Sequence, residues 1–251
     1  MSGRLDGGFD GGAHLIDGTV RRVSGSWSPA VNALLHHLES VGFAGAPRSL
    51  GTDAQGREVL GFPDGITIGG ARPWPRWVHS VEALHVVGDW LRRYHRSVTD
   101  FVPPAGARWR EGKAWEPGMI VGHNDAAPYN AVWNTDGLVG FVDWDMAGPT
   151  TRAEDLAWVA FSWVPLHARR LVLEEGFRAF GERRDRLAIF LGAYGWDGTT
   201  NDVLELVRQR VQSQPDVISK VAANGDKTYQ SMLAHGVDRN LQAALGDLNT
   251  V

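Results

Sequence analysis

The chain of 251 residues contains no cysteine and only three lysines, Lys113, Lys220 and Lys227. The lack of cysteine excludes disulfide bonds, thiolate metal sites and cysteine nucleophiles, so any catalysis has to use carboxylates, histidines or hydroxyls. No stretch approaches the roughly 20 apolar residues that a membrane-spanning helix needs, and the glycine-rich, acidic N-terminus lacks the pattern of a signal peptide. We therefore predict a cytoplasmic protein with no membrane partner.

Composition narrows the class of protein further. Hydrophobic residues make up 43% of the chain and charged residues 22%, which is typical of a globular protein with a packed core. The net charge of -4 argues against a nucleic-acid partner, because surfaces that bind nucleic acid carry an excess of positive charge. The oligomeric state is not indicated.

Hydrophobic patterning divides the chain into two parts and predicts an α+β protein. Residues 1–64 combine a glycine-rich hairpin that turns at Asp17-Gly18, a helix that starts near Ser28-Pro29 and two further short strands. Residues 65–251 contain a long amphipathic helix at 78–98 and are largely helical from 151 onwards. We expect a small N-terminal lobe over 1–64 and a larger, mainly helical C-terminal lobe over 65–251.

Polar side chains cluster at the ends of short apolar strands between residues 119 and 143. The strand 119–122 leads into Asp125, and Asn130 precedes the next strand. Asp136-Gly137 is a strong signal for a two-residue hairpin turn, and counting outward from that turn places Asn130 opposite Asp143. An amide oxygen beside a carboxylate suits Mg²⁺, and Asp125 is then free to accept a proton from a hydroxyl group. Singly, each of these residues has an ordinary explanation in a turn or a cap.

The spacing of these residues resembles a known catalytic loop. His123–Asp125, four further residues and Asn130 resemble the loop of protein-kinase-like enzymes, and the segment 142–145 resembles the metal-binding strand end of aminoglycoside phosphotransferases and choline kinases. The resemblance implies a bilobal protein-kinase-like fold with a reduced N-terminal β lobe and a mainly helical C-terminal lobe.

The resemblance also implies roles for individual residues. Asp125 would be the catalytic base and His123 would brace its loop. Asn130 and Asp143 would hold Mg²⁺, and the phosphate donor would be ATP or GTP. Asp155, at the start of the next helix, would support the loop. The alternative is that Asp155 is only a first-turn acid, which the helix dipole favours.

The N-terminal lobe departs from the kinase pattern. Kinases carry a lysine on a strand of this lobe and a glutamate on the next helix, whereas the first 112 residues here contain no lysine and the helix has Val31 at the corresponding place. Arg21 or Arg22 is our candidate for the phosphate-binding cation, with solvated surface arginines as the alternative. Backbone amides near Gly8 and Gly11 are further candidates for phosphate contacts, unless these glycines only form turns.

The predicted function is that of a small-molecule kinase whose acceptor is a hydroxyl group of a small polar molecule. An aminoglycoside would fit if the acidic residues Glu174, Glu175, Glu182 and Asp185 line the cleft. One alternative is a catalytically impaired kinase-fold protein that binds nucleotide or a small ligand, as the missing lysine suggests. Another is a phosphatase or sugar transferase that uses Asp143 and Asp145, but the βαβ series expected after such a pair is missing.

Overall fold

The computed structural model describes residues 3–4 and 12–251. The chain forms two compact units, one made of Met1–Gly70 and Arg93–Arg152, the other of Ala71–Arg92 and Ala153–Val251. In the described part of the chain, the strands all belong to the first unit and the second unit is helical, so the predicted α+β class is confirmed. The continuous lobes predicted as residues 1–64 and 65–251 stay a prediction.

A five-stranded antiparallel sheet opens the first unit. Its strands, in the spatial order β1-β2-β3-β5-β4, are β1 (Gly3–Arg4), β2 (His14–Ile16), β3 (Thr19–Arg22), β4 (Ser49–Thr52) and β5 (Glu58–Gly61). The predicted turn at Asp17-Gly18 joins β2 to β3, and both residues have positive φ, as a tight hairpin turn requires. Arg22 lies directly opposite Glu58 in the register of β3 and β5, which brings their side chains together on one face.

Helix α1 (Ser28–Ser40) follows the first hairpin and supplies much of the core of this unit. It buries an apolar stripe at helical spacing, as its sequence predicts, composed of Val31, Leu34, Leu35 and Leu38. Val31, which the sequence places where a kinase has its glutamate, is completely buried.

Two short strand pairs complete the first unit. One pairs β6 (Ile120–Gly122) with β9 (Gly148–Thr150), and the other is the hairpin of β7 (Ala131–Asn134) and β8 (Gly137–Phe141).

The predicted register of the hairpin formed by β7 and β8 is wrong. Asn134 lies opposite Gly137, so the turn consists of residues 135–136, one position earlier than expected. The Asn134 side chain stabilises this turn by accepting a hydrogen bond from the backbone N–H of Asp136, at 2.9 Å. An irregularity after Val132 shifts the pairing again, as a β-bulge does. The carbonyl of Asn130 consequently accepts the N–H of Val142 at 2.9 Å, and Asp143 is the next residue along rather than the direct partner.

Helices form the second unit. Helix α2 (Val81–Ser97) extends into the first unit at its C-terminal end, and the others are α3 (Arg152–Trp163), α4 (Arg169–Glu174), α5 (Arg183–Tyr194), α6 (Thr200–Ala223), α7 (Lys227–Ala234) and α8 (Val237–Leu248). Thr199 and Asp202 form a capping box that starts α6. None of the helices in the described ranges combines the length and apolar composition needed to cross a bilayer.

Two glycines in these helices give a matched test of packing. A Cβ on the buried Gly88 of α2 would lie 2.8 Å from the Ala193 side chain and 2.9 Å from the Phe190 carbonyl oxygen of α5, whereas a Cβ on the exposed Gly192 of α5 meets nothing within 4 Å. We expect Gly88→Ala to lower the free energy of unfolding by about 1–3 kcal/mol through overpacking. Gly192→Ala should raise it by up to about 1 kcal/mol. Urea denaturation of the two variants measures both; equal effects would contradict the close packing of α2 on α5.

Candidate active site

The loop that follows β6 is fixed in place by buried side chains. Asn124 has a left-handed backbone with φ of 60°, which asparagine tolerates, and its Nδ2 donates to the Gly148 carbonyl of β9 at 3.2 Å. His123 is fully buried, and its ring centroid lies 4.4 Å from that of Trp144. Its Nδ1 accepts the backbone N–H of Asp125 at 3.3 Å, so the histidine contacts the loop at the point where the carboxylate is presented.

The Asp125 carboxylate is held through both of its oxygens. Tyr129 Oη donates to Oδ1 at 2.7 Å, and Asn130 Nδ2 donates to Oδ2 at 2.8 Å and to the Asp125 carbonyl at 3.0 Å. These bonds fix the orientation of the carboxylate. Tyr129 is 44% exposed. Asp125 Oδ1 therefore accepts a hydrogen bond from the hydroxyl group of a residue that solvent can reach.

Asn130 and Asp143 both lie at the end of the hairpin, where the Asn130 carbonyl pairs with the residue before Asp143. The hydrogen bonds of the Asn130 side chain use Nδ2, an orientation that the bonding pattern assigns and that leaves Oδ1 as the oxygen for another ligand. Asp143 comes directly after Val142, whose backbone N–H donates to the Asn130 carbonyl. Asp143 has a left-handed backbone with φ of 60°. Its carboxylate is 44% exposed. One amide oxygen and one accessible carboxylate are a donor set that fits Mg²⁺ with water and phosphate as its remaining ligands.

Arg22 contacts three carboxylates, each through a different nitrogen. Nε donates to Glu58 Oε2 at 3.0 Å, Nη2 lies 2.5 Å from Asp145 Oδ1 and Nη1 lies 3.6 Å from Asp143 Oδ1. Burial alone would lower the pKa of Arg22, but the negative charges of Asp145, Glu58 and Asp143 outweigh it, and the pKa lies above its ordinary value. The guanidinium is therefore a permanent positive charge beside the candidate metal ligands.

The other predicted phosphate-binding residues are placed differently. Arg21 precedes Arg22 on β3, so its side chain projects from the opposite face of the sheet and away from these carboxylates. Gly8 and Gly11 lie outside the described residues.

Three residues of this site received no role in the kinase site predicted from the sequence. Glu58 and Asp145 are the two buried partners of Arg22, and Arg110 Nη1 pairs with Asp145 Oδ2 at 3.3 Å. Glu58 had a usable signal, since an acid within the apolar strand β5 needs a buried partner. Arg110 had none, because its loop has no regular pattern that links it to Asp145.

Comparisons with known proteins agree with this fold. Residues 76–190, which include the Asp125 loop and Asp143, match the model of the phosphotransferase enzyme family. The chain is 36% identical over 183 residues to the trifolitoxin immunity protein of Rhizobium leguminosarum bv. trifolii, covering 71% of this chain and 68% of that protein. The fold and the site define a kinase-like protein. The chain belongs to the phosphotransferase enzyme family.

Solved structures show the same fold over nearly the whole chain. An amicoumacin kinase in complex with AMP-PNP, Ca²⁺ and its ligand superposes with a TM-score of 0.63 at 10% identity, covering 98% of this chain and 88% of its own. A choline kinase from Streptococcus pneumoniae gives 0.58 at 13% identity, covering 100% and 94%. A spectinomycin phosphotransferase gives 0.58 at 10% identity, covering 100% and 93%. The predicted kinase-like fold, with a small sheet and a mainly helical remainder, is confirmed.

Proposed function

We propose that the protein transfers the γ-phosphate of ATP or GTP to a hydroxyl group of a small polar molecule. The observation that carries this proposal is the set of Asp125, Asn130 and Asp143, in which the first carboxylate is held in place by hydrogen bonds and the other two residues present oxygens for a cation. Family membership supports phosphoryl transfer as the reaction class.

Asp125 is the proposed base. Its Oδ1 accepts a hydrogen bond from the exposed Tyr129 hydroxyl, so the same oxygen can accept one from an acceptor hydroxyl that displaces Tyr129. The acceptor oxygen then forms a bond to the γ-phosphorus as the bond to the nucleoside diphosphate breaks, and the hydroxyl proton passes to Asp125. Asn130 keeps the carboxylate in position during this step. His123 keeps the backbone of the loop in position.

Asn130 Oδ1 and Asp143 are the proposed ligands of Mg²⁺, which when bound neutralises charge on the phosphates. Arg22 is the proposed cation that contacts the nucleotide phosphates in place of a lysine. A guanidinium suits this role, because it stays charged at any working pH and offers several donors to phosphate oxygens.

The acceptor is proposed to be a toxic small molecule. The name of the immunity protein and the amicoumacin and spectinomycin ligands of the structural relatives suggest this class, and an aminoglycoside remains one candidate. The acidic residues of the second unit give weak support for a cationic acceptor. Glu174 pairs with Arg72 and Arg170, and the buried Glu175 also pairs with Arg72, so cationic partners within the unit already offset both charges.

Calorimetry with ADP and GDP, with and without Mg²⁺, tests the nucleotide site. We expect one nucleotide per chain to bind, and affinity to rise by about tenfold or more with Mg²⁺, since Asn130 and Asp143 would hold the cation and its charge would offset that of the phosphates. A screen of hydroxyl-bearing toxins for nucleoside diphosphate release then identifies the acceptor. If the folded protein binds neither nucleotide, the proposal fails.

A second candidate function is binding without turnover. Arg22 is contacted by three carboxylates, and the first 112 residues contain no lysine that could act instead. Both observations favour, as the alternative, a protein that binds nucleotide or a small ligand without transferring phosphate. Nucleotide binding without phosphate transfer to any toxin that the protein also binds would favour this alternative.

A further inference from the structure

We propose that Glu58 and Asp145 are positioning residues that hold Arg22 with Nη1 directed toward the phosphates of the nucleotide. This inference rests on the proposed function. In this arrangement, an arginine on β3 takes the place of the lysine of the kinase strand. A glutamate on the neighbouring strand β5 takes the place of the glutamate of the kinase helix.

The three ion pairs of Arg22 differ in a way that assigns these roles. The Glu58 side chain is 1% exposed and lies 3.0 Å from Nε. The Asp145 side chain is 11% exposed and lies 2.5 Å from Nη2. Asp143 is 44% exposed and lies 3.6 Å from Nη1, which is too far for a hydrogen bond. A hydrogen bond to Glu58 and a close ion pair with Asp145, whose Oδ1 accepts no hydrogen bond among the described residues, thus hold the guanidinium, and the third nitrogen lies beside the exposed candidate metal ligand.

Asp145 is itself fixed from the opposite side. Arg110 Nη1 lies 3.3 Å from Asp145 Oδ2, the Arg110 side chain is 4% exposed, and its guanidinium lies 4.2 Å from the centroid of the Trp27 ring. The tryptophan face stabilises the arginine through a cation–π contact. Asp145 therefore links two buried arginines and keeps its orientation when the charges around Asp143 change.

Burial makes the Glu58 pair more than an incidental contact. Oε1 of Glu58 is buried and has no hydrogen-bond partner among the described residues, so the carboxylate depends on Arg22 to offset its desolvation. Without Glu58, we expect the guanidinium to rotate so that Nη1 moves closer to Asp143 while Nη2 stays with Asp145. Nη1 is then lost to the phosphates, and we expect this loss to outweigh the gain from removing a negative charge.

A double-mutant cycle tests the inference by calorimetry with Mg²⁺-ADP. Glu58→Gln in the wild-type background should weaken the affinity about tenfold, which is the typical effect of one hydrogen bond between charged groups. Arg22→Gln should weaken it by at least as much. In the Arg22→Gln background, Glu58→Gln should change the affinity by less than about twofold, because a positioning residue has nothing left to position. Glu39→Gln, which removes an exposed ion pair with Arg48 in the same unit, is the matched control.

The outcomes separate this inference from the proposed function. Independent, additive losses, or an unchanged or tighter affinity in Glu58→Gln, would overturn the positioning role while the nucleotide site stands. If wild type binds no nucleotide, both fall. Thermal unfolding checks that each variant is folded; should Glu58→Gln not fold, Asp145→Asn takes its place in the same cycle, with the same expected pattern.

Discussion

Replacing Asp125 with asparagine is expected to lower kcat by about 10²- to 10⁴-fold, which is the usual contribution of a positioned general base. Asparagine keeps the size of the side chain and one acceptor oxygen for Asn130 Nδ2, and its amide group can donate to the Tyr129 hydroxyl, but it cannot take up the acceptor proton. Because Asp125 contacts the acceptor rather than the nucleotide in the proposed reaction, Mg²⁺-ADP affinity should change by less than about threefold. Steady-state transfer to the acceptor found in the screen, together with calorimetry, measures both quantities.

Asp136→Asn is the matched control for this substitution. Asp136 is an exposed residue in the hairpin turn of the same unit, and it contributes its backbone N–H to the hydrogen bond that stabilises this turn. The control should keep wild-type kcat. If Asp125→Asn also kept kcat within a few-fold of wild type, Asp125 would not be the base, and the reaction would need another proton acceptor.

Removing the carboxylate of Asp143 is expected to abolish the effect of Mg²⁺ on nucleotide binding. Asp143→Asn should reduce the rise in affinity with Mg²⁺ from about tenfold or more to less than about twofold, and kcat should fall by at least about a hundredfold. Without Mg²⁺, the variant should bind ADP at least as tightly as wild type, since a negative charge beside the phosphates has been removed and Arg22 Nη1 has lost a competitor.

The two conditions make the Asp143 result interpretable. A loss of affinity that is the same with and without Mg²⁺ would indicate a structural role for Asp143 and would contradict its assignment as a metal ligand. The Asp136→Asn variant should keep the wild-type response to Mg²⁺, which controls for the general effect of one charge on nucleotide affinity.

The sequence by itself determined the local features of this protein. The tight turn at Asp17-Gly18, the apolar stripe of α1 and the strand before Asp125 follow from short-range rules that relate residue type to backbone conformation. The spacing of His123, Asp125 and Asn130 is equally local, because one loop between two strands fixes it. These features sufficed to predict the α+β class, and the resemblance of the loop to a known catalytic loop implied the kinase-like fold.

The hairpin that carries Asn130 and Asp143 shows where short-range rules stop. The Asn134 side chain moves the turn by one residue, and the bulge after Val132 moves the pairing again. Sequence predicts that these two strands pair, but their register depends on which turn and which bulge the surrounding structure stabilises.

Only the tertiary structure decided which charges meet around Arg22. Its partners come from β5 and from the segment after β8, and the next arginine in the cluster, Arg110, comes from the loop between α2 and β6. No periodicity links such distant positions, because the energy of a buried ion pair depends on distance and on the exclusion of water, both of which folding sets. The sequence therefore indicates that the kinase lysine is missing and offers Arg21 or Arg22 in its place, and the fold brings Arg22 together with the carboxylates of the candidate site.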